Sequence, residues 1–197
     1  MNAAHQDTTH THETRASTVT RDSVQGVEHH TRKNDVRLFL WEKFVGDPRG
    51  KPVVLFVHGS SMASQPTFDL SVPGRSDSSV MDWFARRGFA CWSVDMEGYG
   101  RSDKRRDIPC DVANGADDLA TATSYMREAR GIEQVMAYGI SSGALRAALF
   151  AQRHPERVAR LALDAFVWTG EGAPTLEQRR KKLPEFTARN RRPIDRA

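Results

Sequence analysis

A chain of 197 residues holds one ordinary domain with a buried core and is too short for two generous ones. Hydrophobic residues at 39% and charged residues at 27% describe a globular chain and exclude a fibrous or low-complexity one. The formal charge of +4 would suit an anionic partner, but eight of the 29 Lys and Arg lie between Arg179 and Arg196 and no aromatic-interleaved basic patch is present, so the reading is no nucleic acid.

From Met1 to Asn34 there is no aromatic residue except histidine and few aliphatics, so residues 1–34 read as a disordered polar tail that cannot bury enough apolar area to offset its ordering entropy. Five of the seven histidines fall there, yet no cysteine or regular ligand spacing accompanies them, and no metal site is assigned. The N-terminus has no apolar signal region and no run of about 18 apolar residues occurs, which gives cytoplasmic residence by default and no membrane span. Two cysteines, Cys91 and Cys110, make no disulfide framework.

Order is expected from residue 35. Residues 36–45 (VRLFLWEKFV) alternate as a strand does, and after the turn GDPRGK the five apolar residues of VVLFV suit a strand covered on both faces. That strand runs into HGSSM (58–62). In residues 78–88, Val80, Trp83 and Phe84 fall at i, i+3 and i+4 of a short helix that Gly88 ends. FACWSV (89–94) is a strand leading into DMEGYGRSD, with Cys91 as a buried thiol.

Leu119, Ala122, Met126 and Ala129 mark a helix over 111–130 with Gly131 as its stop. Residues 133–138 form a strand, and 143–153 a helix with Leu145 and Leu149 on one face. Residues 158–168 form one more strand. Alternating strands and helices predict a mostly parallel sheet with helices on both faces, and active groups collect at the carboxyl ends of such strands. HGSSM, DMEGYGRSD, GISSG and LDAF all lie at those ends.

Gly139-Ile140-Ser141-Ser142-Gly143 is G-x-S-x-G, a pattern that roughly one random chain in fifteen of this length would contain. Its setting between a strand and a helix is what gives it meaning. A strand that turns at once into a helix strains its middle residue and crowds the positions two before and two after, so those must be glycine. The turn presents the Ser141 hydroxyl above a helix N-terminus, where unpaired N–H groups favour developing negative charge. The amide of Ser142 and an amide just after Gly59, that of Ser60, are the expected oxyanion donors.

With VLFVHGSSM, VDMEGYGRSD and YGISSGALRAALFAQRHPERV in this order, residues 36–168 resemble the N-terminal half of the α/β-hydrolase superfamily. HGSSM looks like the branch that carries a helical cap. The resemblance implies a mostly parallel α/β-hydrolase sheet, apparently truncated after the strand that follows the nucleophile helix, with core residues 35–168 and a cap segment beginning in 169–197. It implies a serine hydrolase acting on an ester or related acyl bond of a small-molecule substrate, with no cofactor.

In that superfamily the triad runs Ser, then Asp or Glu, then His. Asp164 ends the strand after the nucleophile, where a minority of members place the acid; capping the strand or supporting a neighbour is its other role. The only histidine after Ser141 is His154, at the far end of the same helix and about 18 Å away at 1.5 Å per residue. His58 is expected to hold the oxyanion loop. The catalytic histidine is therefore expected outside this chain, with a truncated and inactive binding remnant as the alternative. A doubly wound nucleotide-binding domain is disfavoured by the lack of any glycine-rich phosphate loop in HGSSM. Trp168 and Phe166 are read as core residues that could also line a pocket. Nothing in the sequence fixes the oligomeric state.

Overall fold

The computed structural model describes residues 23–167 and 169–189, so Trp168 and residues 1–22 lie outside the described part. Six strands form one sheet in the order β1-β2-β4-β3-β5-β6. β1 (Val24–Lys33) and β2 (Val36–Val45) make an antiparallel hairpin, β2 runs antiparallel to β4 (Ala90–Asp95), and β3 (Val53–Val57), β5 (Val135–Ile140) and β6 (Val158–Asp164) continue in parallel. The expected mostly parallel α/β sheet is present.

β3 and β4 are buried along their whole length, which is why VVLFV and ACWSVD read as unbroken apolar runs and not as alternating ones. α3 (Val112–Arg130) and α4 (Ser142–Arg153) cover one face, packing Leu119, Ala122, Met126, Ala147 and Phe150 against Leu55, Trp92 and Ala137. α1 (Ser64–Phe68) and α2 (Val80–Ala85) cover the other around Phe56, Phe68 and Met81. Asp111 caps α3 by accepting the Asn114 N–H, and Gly131 closes it in the left-handed region at φ 69°.

Three local expectations are corrected. The polar stretch before residue 34 is not tail throughout, because residues 24–33 are β1, an edge strand whose polarity follows from its one solvated face. Its turn is Asn34-Asp35, with Asn34 at φ 56°, the backbone a tight hairpin demands. In α2 the buried residues are Met81 and Ala85, while Val80 and Trp83 stay 42% and 48% exposed, Trp83 under the stacked guanidinium of Arg87. In α4 the buried face is Gly143, Ala144, Ala147 and Phe150, with Leu149 only at its margin.

The segment 169–189 holds two helices, α5 (Pro174–Lys181) and α6 (Leu183–Ala188); α5 buries none of its side chains. Among the described residues no helix is long and apolar enough to cross a membrane.

Candidate active site at the end of β5

Ser141 sits between β5 and α4 with φ 58° and ψ −123°, a backbone conformation that L-residues rarely adopt. Tertiary contacts hold it there. Its N–H donates to the Asp164 carbonyl at 2.9 Å, and its carbonyl accepts from Ala144 at 3.0 Å. A Cβ on Gly139 would lie 2.5 Å from the Gly143 carbonyl oxygen, and one on Gly143 would lie 2.3 Å from the Val57 carbonyl oxygen. Both glycines are thus steric requirements of the turn. The Ser141 side chain is exposed, and its Oγ has no hydrogen-bond partner among the described residues.

The loop after β3 comes alongside. A Cβ on Gly59 would meet the Ser141 Cβ at 3.2 Å, so glycine is needed where this backbone passes the serine. Ser60 Oγ and Ser142 Oγ are 2.8 Å apart, which ties the two residues expected to donate oxyanion amides. Neither amide donates elsewhere among the described residues.

Three buried polar groups fix that loop. His58 is fully buried; its Nε2 accepts the Met96 N–H at 3.1 Å, which leaves Nδ1–H to donate to the Gly59 carbonyl at 2.7 Å. Burial pushes its imidazole below the ordinary histidine value and the Arg146 charge adds to this, so the ring is neutral with both nitrogens engaged. The loop-holding role expected of it is the one it has. Asp95 accepts from the Ser64 N–H and Oγ at 2.8 and 2.6 Å and, through its other oxygen, from the Arg101 N–H at 2.8 Å. Arg146, 3% exposed within α4, donates to the His58 carbonyl at 3.3 Å.

Asp164 lies beside Ser141 across β5 and β6, in register with Ile140. Its Oδ2 accepts the Tyr138 hydroxyl at 2.5 Å, and Tyr138 is pushed up to about 12, by burial first and then by this carboxylate. Ala165, the next residue, also has positive φ, 49°. Phe166 is half-buried just beyond. None of the described histidines reaches Ser141 as a base: His29 is bound to Tyr125 and Glu42, His30 is on β1, His58 is fully engaged, and His154 closes α4 beside Glu156. Arg146 and Tyr138 lie outside the G-x-S-x-G motif and enter the site only through the fold. An arginine within the otherwise apolar run ALRAALF was the available signal for the first; nothing marked the second.

A strand, a strained serine between glycines and a helix, at the carboxyl edge of a sheet in the order found here, define an α/β hydrolase. The chain belongs to that family, whose alpha/beta hydrolase fold model matches residues 52–197. It is similar to the proline iminopeptidase of Neisseria meningitidis serogroup B, 29% identical over 77% of this chain and 51% of that protein. It is also similar to the 2-hydroxy-6-oxononadienedioate/2-hydroxy-6-oxononatrienedioate hydrolase of Paraburkholderia phymatum, 31% identical over 64% and 39%. Among solved structures, the thioesterase domain from the curacin biosynthetic pathway superposes with a TM-score of 0.59 at 19% identity, covering 87% of this chain and 55% of that one, a likeness of fold alone. The chain spans about half the length of the first of these relatives.

Proposed function

We propose that Ser141 is the nucleophile of a serine hydrolase that cleaves an ester or related acyl bond in a small-molecule substrate. The observation that carries this reading is the backbone of Ser141 at φ 58° between two sterically required glycines, with a partnerless, exposed Oγ. Such strain is maintained where a reactive group must be presented. In the reaction a base takes the Ser141 proton while Oγ bonds to the acyl carbon, and the carbonyl π pair moves onto oxygen. The Ser142 and Ser60 amides then hydrogen-bond that oxyanion. Collapse expels the leaving group, which recovers the proton, and water repeats the sequence on the acyl-serine to release the acid. Asp164, held by Tyr138 through one oxygen, has its other oxygen available to orient a histidine. Because no described histidine is in place, the base comes from outside the described residues. The names iminopeptidase and hydrolase carried by the relatives agree with bond hydrolysis.

A second reading, a catalytically inactive binding protein on the same fold, is supported by that lack of a base among the described histidines. Release of p-nitrophenol from acyl p-nitrophenyl esters by the natural full-length protein separates the two. The hydrolase reading requires turnover that Ser141→Ala abolishes; absence of turnover, or turnover that survives the substitution, contradicts it.

A further inference from the structure

The β1–β2 hairpin, at the sheet edge opposite β6, and the loop after β4 build a second feature. Arg32 on β1 stands directly opposite Arg37 on β2, so the two share a face, and like charges placed so are destabilising. The loop locks onto the same hairpin. Arg37 and Asp103 exchange backbone contacts in both directions, the Arg37 N–H donating to Asp103 Oδ2 and the Asp103 N–H to the Arg37 carbonyl, each at 2.9 Å. Ser102 Oγ accepts the Phe39 N–H at 2.9 Å, and the Arg101 guanidinium lies 3.6 Å over the Phe39 ring. These contacts hold a third arginine, Arg105, beside the first two.

An open cavity of about 430 Å³ results, lined by His30, Arg37, Arg101, Lys104 and Arg105 together with the acidic Glu28 and Asp103. A second of about 250 Å³ adjoins it through Asp103 and Arg105 and adds Arg32 and Arg106 together with the carboxylates Asp35 and Glu97. Glu28 is already engaged by Arg101 at 2.5 Å. Glu97 is likewise taken by Arg106 and Lys33, which leaves Asp35 and Asp103 as the carboxylates beside Arg32, Arg37 and Arg105; the Arg37 N–H first, then the charges of Arg105, Arg37 and Arg32, hold Asp103 below the usual carboxylate range. Among the described residues none of the three guanidiniums forms a hydrogen bond or a close ion pair, although Asp35 and Asp103 lie beside them.

We infer that this groove binds a phosphate-bearing small molecule, with Arg37 and Arg105 as its principal contacts and Arg32 closing the far side. Guanidinium forks match phosphate oxygens two at a time, and the larger cavity has the size of a small-ligand site, not the extended stripe that tracks a nucleic-acid backbone. An oxygen-rich dianion between Arg32 and Arg37 also converts a repulsive pair into a bridged one.

The test is calorimetric titration of the full-length protein with inorganic pyrophosphate at low ionic strength. Saturable one-to-one uptake is expected, weakened roughly tenfold or more by Arg37→Gln and again by Arg105→Gln, and unchanged by Arg127→Gln on α3. Without ligand, Arg32→Thr should raise the melting temperature, which a purely structural arginine would not do. Ser141→Ala should bind pyrophosphate as the wild type does, so failure of the hydrolase reading leaves this result standing. The inference is overturned if wild-type heats show no saturation, if the Arg37 and Arg105 variants bind equally well, or if the protein is retained on phosphatidylglycerol vesicles while taking up no pyrophosphate.

Discussion

Replacing Ser141 separates presentation of the hydroxyl from its chemistry. At φ 58° and ψ −123° a non-glycine residue carries about 1–3 kcal/mol of backbone strain. Ser141→Ala keeps the Cβ and therefore the strain, and it removes a hydroxyl that makes no hydrogen bond, so its stability should stay near the wild-type value. Ser141→Gly relieves the strain but gives the unfolded chain more freedom, at a cost of about 0.5–1 kcal/mol relative to Ala. The balance puts the glycine variant about 1 kcal/mol above the alanine variant, although both lack the nucleophile. For a chain of this size that is roughly 2–4 °C in melting temperature, measurable by differential scanning calorimetry and by urea denaturation at unchanged slope. A glycine variant equal to or less stable than the alanine one would refute the strain, and with it the argument for a presented serine.

Three further outcomes are expected. Gly143→Ala should cost about 3 kcal/mol or more in urea denaturation, since its new Cβ would press on the backbone carbonyls of Val57 and His58, whereas Gly50→Ala, with open space around it, should cost about 1 kcal/mol for its left-handed backbone. Glu97 is buried, gripped by both arms of Arg106 at 2.7 and 2.6 Å and by Lys33 at 3.1 Å, so Glu97→Gln should destabilise by about 3 kcal/mol at neutral pH. The Arg106 fork holds this carboxyl at about 2; its stabilisation is present above the ordinary value of 4.5 and is lost as pH falls from there toward 2, an acid-sensitive component that the glutamine variant should lack. Burial pushes the Cys91 thiol up to about 12, so a thiol reagent at pH 8 should modify half-buried Cys110 in the native protein and reach Cys91 only after unfolding.

What the sequence made legible follows from which constraints are local. VVLFV and FACWSV announce buried central strands because both faces are covered, and Gly139 and Gly143 announce the turn because the steric demand falls on their own backbone. β1 escaped because VQGVEHHTRK is polar and pairs at the sheet edge, although Asn34-Asp35 was a usable turn signal. The faces of α2 and α4 were misjudged because Val80, Trp83 and Leu145 have the right spacing for burial, and only the packing partner selects among helical stripes. Lys33, Glu97 and Asp118 meet in one buried cluster from three distant segments, and no local pattern encodes such a meeting. The same holds for the groove, whose arginines the fold gathers from residues 32–37 and 101–106.

Whether Ser141 is an activated nucleophile is decided by reaction of the natural full-length protein with a fluorophosphonate, followed by intact mass and peptide mapping. One adduct is expected, on Ser141, absent from the Ser141→Ala variant. An unmodified protein under conditions that label a control serine hydrolase fully, or an adduct on another residue, would contradict it.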